Sequence, residues 1–250
     1  TRLGAYAFKN CAGMSRASLP NTITDLGEGA FMNCTGMTNV SLLGATLLTE
    51  IPARLFYNCP QIRNTIIFPN NFTKIGDYAF YNCSSLTEIT FNNIRDIGKS
   101  AFENCSNLRE GANANQFILP TNLDTLGERA FANCVRLTSI HIPNTLLAIS
   151  KEAFLNCSML TAITYNSGTI LETLGENSFA YCTSLASFEI PATLKTRGVN
   201  TGFIKNPFFG CSALTAFVSH TANLNNLVVI NDIIFEKTTS FEEMQLYSIY

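Results

Sequence analysis

The chain has 250 residues, 46% hydrophobic and 14% charged, enough apolar material for a sizeable core and unlike the weakly hydrophobic, highly charged composition of disordered segments. Its formal net charge is -2 and no Lys/Arg block interrupts it, which excludes the positive field that draws proteins to nucleic acid or anionic membranes. No apolar run approaches the roughly 18 residues of a membrane span, and Thr1 opens no charged-then-apolar signal segment, so neither membrane insertion nor a retained leader is expected.

The first unit sets a pattern: Leu3, then Phe8, Cys11 and Met14, then a short strand-like stretch ending before Pro20. It recurs as Leu26, Phe31, Cys34, Met37; Ile51, Phe56, Cys59, Ile62; and Ile75, Phe80, Cys83, Leu86. Ile97, Phe102, Cys105, Leu108 follow, then Leu126, Phe131, Cys134, Leu137 and Ile149, Phe154, Cys157, Leu160. The last two are Leu174, Phe179, Cys182, Leu185 and Phe203, Phe208, Cys211, Leu214. Successive cysteines stand 23, 25, 24, 22, 29, 23, 25 and 29 residues apart, and the unit reads close to L-G-x-x-A-F-x-N-C-x-x-L-x-x-I-x-I-P.

Periods of this length with leucines so spaced belong to solenoids, in which each coil leaves an apolar side exposed until the next covers it. Pairs such as Ile89 with Phe91, Ile140 with Ile142 and Phe188 with Ile190 alternate with polar residues, the period of a half-buried strand. Pro20, Pro120, Pro143 and Pro191 follow the strand, where a missing N–H does no harm. The A-F-x-N-C stretch suits a single α or 3₁₀ turn on the opposite side. The expected fold class is an α/β leucine-rich-repeat solenoid: a right-handed coil stack of about nine repeats, with one short parallel-sheet strand and one short helical turn per coil. Residues 1–219 are expected to form the solenoid and 220–250 a C-terminal unit that continues or caps it.

Ile75 to Phe91 (IGDYAFYNCSSLTEITF) and Leu126 to Pro143 (LGERAFANCVRLTSIHIP) resemble the BspA-like, or Treponema-type, leucine-rich repeats, over about residues 3 to 219. The tail LVVINDIIFEKTTSFEEMQLYSIY resembles the variant hairpin unit that follows such arrays. The resemblance implies a secreted or surface-displayed protein with an adhesive role, an extracellular or host protein as partner, and no catalytic motif positions or cofactor.

The recurrent residues admit structural readings. In-register cysteines on adjacent coils have parallel Cβ vectors, wider apart than a disulfide uses, and nine cannot all pair, so buried free thiols are favoured over bridges. The close C-x₂₋₄-C spacing of a metal site is absent from the sequence. The residue before each cysteine is Asn from Asn10 to Asn156, then Tyr181 and Gly210; Asn exchanging with Gly points to a left-handed backbone. Asn33, Asn82, Asn104 and Asn156, with Asn39 and Asn71, also satisfy the N-x-[ST] glycosylation pattern. Glu28, Glu128 and Glu176 stand where they would cap the helical turn.

Catalytic constellations are scarce: His141 and His220 are the only histidines, and no hydrolase, metalloprotease, P-loop or dinucleotide fingerprint occurs. Specificity in repeat arrays is expected on the solvent-facing strand positions. Those are Arg16 and Ser18, Asn39 and Ser41, Glu88 and Thr90, Ser139 and His141, Ala162 and Thr164, Ser187 and Glu189. The candidate ligand-binding set is Arg16, Asn39, Glu88, Thr90, Ser139, His141, Thr164, Ser187 and Glu189, flanked by insertions at Glu110 to Gln116 and Ala192 to Asn206. A protein-binding module is the first reading and a glycan-binding module the second. The chain lacks the tryptophan that sugar sites favour, although Tyr57, Tyr78 and Tyr81 offer rings.

Overall fold

The computed structural model describes residues 1–111, 116–194 and 206–219, with the backbone strands Leu227–Ile230 and Ile233–Glu236. It is a stack of similar coils, and each of the first eight carries two short strands where the sequence suggested one. The strand after the cysteine pairs in parallel with its successor: Arg16–Ser18 with Asn39–Ser41, Ile66–Ile67 with Ile89–Thr90, and Phe117–Ile118 with Ser139–Ile142 and then Ala162–Tyr165. Ser187–Ile190 pairs with Ala216–Ser219. A second file precedes the phenylalanines, running through Glu50–Ile51, Lys74–Ile75, Asp96–Ile97 and Thr125–Leu126. The strands of the C-terminal segment pair antiparallel, Leu227 opposite Glu236.

The helical turn expected in each coil is not there: no helix occurs among the described residues. The A-F-x-N-C stretch is a corner in which alternate N–H groups serve different partners. In the third unit, the N–H groups of Arg54, Phe56 and Asn58 donate to Asp77, Ala79 and Tyr81 of the next coil at 2.8, 2.8 and 2.7 Å, whereas Tyr57 donates back to Arg54 at 3.0 Å. Arg54 and Asn58 have φ of 56° and 55°. Two left-handed residues in five forbid a right-handed helix, and the payoff is a third hydrogen-bonded ladder joining the coils. The left-handed reading of the asparagines holds from Asn10 to Asn156, and Tyr181 shares it at φ 60°. In the next coil Gly210 is required, since a Cβ there would stand 2.6 Å from the Tyr181 ring.

The interior is built from identical positions. The repeat phenylalanines form a continuous file with ring centroids 5.3–5.7 Å apart; all are buried except Phe8, which is 37% exposed on the first coil. All nine cysteines are free, and every sulfur from Cys34 to Cys211 lies 3.1–3.4 Å from the carbonyl oxygen of the phenylalanine one coil back. The thiol is thus a small apolar filler that also donates a weak hydrogen bond. Burial pushes Cys59 and Cys157 up to about 12, so they carry no thiolate at neutral pH. The asparagine amides stack as well: Asn33 donates to Asn10, Asn58 to Asn33, Asn82 to Asn58, Asn133 to Asn104 and Asn156 to Asn133, at 2.7–3.0 Å.

At the position before the repeat phenylalanine, the third unit has the larger Leu55 and the eighth a polar residue. Where Ala30, Ala79, Ala101, Ala130 and Ala153 precede their phenylalanines, the eighth unit has Ser178, fully buried, its Oγ the one buried side-chain polar atom among the described residues with no partner. Ser178→Ala should therefore raise stability by about 1 kcal/mol, read as a higher denaturant midpoint at unchanged slope. A lower midpoint would mean that the hydroxyl has a partner in solution.

Candidate functional site

The strand face is where side chains leave the stack. Arg16 and Ser18 are exposed around buried Ala17, and exposed Asn39 and half-buried Ser41 flank buried Val40. Thr90 and Ser187 are exposed; Glu88, His141, Thr164 and Glu189 are half-buried. Between adjacent coils, His141 Nδ1 lies 2.9 Å from Thr164 Oγ1, which lies 3.3 Å from both Gln116 Oε1 and the Ile140 carbonyl. The Tyr165 hydroxyl donates to the Glu189 carbonyl, tying the seventh coil to the eighth where their strands do not pair.

Ser139 requires a correction: it is 8% exposed and does not face water. The insertion beginning at Glu110 delays the fifth coil's strand to Phe117–Ile118, and the N–H groups of Thr138 and Ser139 turn to a side chain. Glu110 Oε1 takes both, each at 2.8 Å, and closes over the site. Desolvation pushes the Glu110 carboxyl upward, but the hydrogen bonds from Ser139, its own N–H and Thr138 outweigh it and hold it below the usual carboxylate range. A depressed folded-state pKa gives stability that is present above the unfolded value of about 4.3 and lost as pH falls through the folded one. Glu110→Gln should therefore lower the melting temperature at about pH 7 and by much less near pH 3. Equal deficits at both would show that the charge is not what the amides recognise.

Sequence counting also missed outward apolar residues in the row of Thr90, His141 and Thr164: Ile67 at 40%, Ile118 at 55% and Val218 at 44% exposure. Counting from the cysteine failed in the third and fifth coils, because extra residues shift their strands. In the third, the Asn64 side chain fills the resulting gap, accepting from Val40 N–H at 3.0 Å and donating to its carbonyl at 2.9 Å. The signal available was local: Ile118 alternates with Phe117 and Leu119, and Pro120 ends the strand. The larger insertion, Ala192 to Asn206, lies mostly outside the described residues, as does His220.

On the corner face the carboxylates expected to cap helical turns have other work, there being no helix to cap. Glu28 binds Arg54 and the Tyr6 hydroxyl, Glu128 meets Lys99 at 3.3 Å, and Glu176 meets Lys151 at 3.1 Å. Glu103, nearly buried, is held by Arg129, whose NH2 reaches it at 2.8 Å and whose NH1 binds Glu152. The structure brings Tyr57, Tyr78 and Tyr81 together here. Tyr57 and Tyr81 stack at 4.7 Å, Tyr78 meets both at an angle, and the Arg54 guanidinium lies 5.4 Å from the Tyr78 centroid.

The repeat unit, with its stacked phenylalanines and free cysteines, matches a known pattern: residues 1–112 and 109–211 fit the BspA type Leucine rich repeat region, in six copies. The chain belongs to that family. Among solved structures, this BspA-type array resembles the leucine-rich repeat protein of T. pallidum, at 23% identity over 74% of this chain and 71% of that one, with a TM-score of 0.51. It also resembles a leucine-rich repeat protein of Bacteroides ovatus (20% identity, 87% and 76% covered, TM-score 0.37) and a leucine rich cell surface protein of Faecalibacterium prausnitzii (20%, 89% and 84%, 0.35). No curated protein matches the sequence. The BspA-type arrays are repeat scaffolds of an interaction kind and generally non-catalytic. No helix among the described residues is long and apolar enough to cross a membrane.

Proposed function

We propose that this chain is a protein-binding module of an extracellular or cell-surface protein, and that it engages its partner through the strand face around Ile118, His141 and Thr164. The observation that carries this is the outward row itself. On a sheet with one solvated face, outward positions should be polar, yet Ile118 is more than half exposed beside Gln116, His141 and Thr164, with Ile67 further along. An apolar centre ringed by polar groups with neutral hydrogen-bonding partners is the make-up of a protein contact. The extracellular placement rests on the family resemblance. Thr90, Ser187, Glu189, Arg16, Asn39 and Glu88 lie along the same face and serve as its polar margin.

The test is a panel of secreted and surface-exposed proteins screened against the chain, followed by Ile118→Glu and Ser187→Glu in any pair found. Ile118→Glu should weaken binding by roughly 30-fold or more, as for a central anchor, and change stability by no more than about 0.5 kcal/mol. Ser187→Glu, at the margin, should act more weakly. Binding that survives both substitutions would move the contact to another face.

A further inference from the structure

We propose that the corner face of the first four coils carries a second contact surface, a tyrosine belt that takes an extended, uncharged, apolar peptide segment of a protein partner. The inference deepens the protein-binding reading but concerns a different face, and it starts from a placement the fold does not require. Tyr6 and Tyr78 stand two residues before their phenylalanines, Tyr57 and Tyr81 one residue after. Both positions lie on the corner face, where Tyr6 is exposed and Tyr57, Tyr78 and Tyr81 are half-buried, and other coils fill them with Glu152, Ala132 or Leu155. Four of the chain's eight tyrosines have gathered where core packing asks for none. An outward aromatic cluster of this kind marks an interaction site.

The belt is already organised. Glu28 joins the Tyr6 hydroxyl to Arg54, Arg54 covers Tyr78, and Tyr78 meets the stacked Tyr57 and Tyr81 at ring separations of 6.5 and 5.9 Å. Rings fixed in advance lose little freedom on binding, and Tyr with Arg is the pairing found at the energetic centres of protein interfaces.

The same geometry selects the occupant. Tyr57 and Tyr81 cover each other at 4.7 Å and 8°, and Arg54 takes a face of Tyr78, so one flat face of each of these rings, on which a sugar ring would stack, is already taken. The remaining ring surface and the phenol hydroxyls suit apolar side chains and backbone amides. The charged groups at the belt are already engaged: Glu28 with Arg54, Glu103 with Arg129 at the margin, Lys9 over the Tyr6 ring and Asp77 with the Lys99 N–H, so a strongly ionic ligand gains little here. Three coil steps of about 4.8 Å give a length near 15 Å, which spans four to five residues of extended peptide at roughly 3.3 Å each.

A displayed library of random linear peptides, selected on the intact chain, tests this directly. The selected peptides should be rich in apolar and poor in charged residues. Their affinity should fall at least about 30-fold in Tyr78→Ala and in the double variant Tyr57→Ala, Tyr81→Ala, while Ile118→Glu leaves it unchanged. Moving from low to physiological salt should alter affinity by less than about threefold. Tyr78→Phe, which keeps the ring, should retain most of the affinity and guards against a folding artefact. Peptides that depend on Ile118 but not on the tyrosines would overturn the belt while supporting the strand face. An absence of any tyrosine-dependent peptide would also overturn it, and tyrosine-dependent binding on a glycan array would transfer the site to sugars.

Discussion

Phe102→Ala is expected to lower the unfolding free energy by about 3–5 kcal/mol, the largest loss any single truncation in the file should produce. Phe102 is fully buried, stacks at 5.3 Å on both Phe80 and Phe131, and receives the edge of Phe91 at 5.9 Å. Removing the ring therefore opens a cavity lined on three sides by aromatic groups that the backbone ladders hold in place, so little collapse can relieve it. Because each coil contacts only its neighbours, weakening a central one also lowers the coupling between the two halves of the array. Denaturant unfolding should show this as a broadened transition, and Phe8→Ala, at an end and already part-exposed, should cost far less. Equal losses at the two positions would argue that the rings are not a load-sharing file.

Arg129→Met should be the next most damaging change, by about 3 kcal/mol, at the lower end of the range for breaking a buried ion pair because the arginine side chain is 27% exposed. Glu103 keeps only 9% of its side-chain surface and depends on two arginine nitrogens, NH2 at 2.8 Å and Nε at 3.2 Å. Bonding to Glu103, opposed by desolvation and helped by Glu152, raises the guanidinium pKa, so the arginine stays charged. The loss comes from stranding a carboxylate, not from forfeiting a strong bond. Glu103→Leu combined with Arg129→Met should consequently recover most of the stability, since Leu155 already occupies the equivalent position two coils on. A double variant no better than Arg129→Met would show that the pair is favourable in its own right.

Much of this architecture is legible in the sequence because it depends on repetition. A residue recurring at one place in every unit, as Phe80 and Cys83 do, has the same surroundings each time, and apolar types at a fixed period must face inward. The asparagine row discloses its left-handed backbone by exchanging with Gly210. The corner reads as helical because its other left-handed position mostly holds residues that carry no signal of positive φ, Tyr6, Arg54, Tyr78, Ser100, Arg129 and Glu152, with Gly29 and Asn177 too few to set a pattern. The second strand of each coil is two residues long, too short for alternation to register. On the candidate face, Asn39, Thr90 and Ser187 fell outward as counted, whereas the coils with insertions defeated the count. Ser139 is buried with its N–H held by Glu110, and the shifted strand puts Ile118 into the row that His141 and Thr164 share.

The central claim is that one register, repeated, turns the same side chains inward in every coil and leaves the outward rows for recognition. Thiol titration with and without denaturant measures that most directly. In denaturant all nine cysteines should react, since none is bridged. In the native state Cys34, Cys59, Cys83, Cys105, Cys134, Cys157 and Cys182 should be protected, with Cys11 and Cys211, half-buried on the first and last described coils, reacting ahead of them. Fast labelling of the middle cysteines, or fewer than nine thiols in denaturant, would contradict the stack.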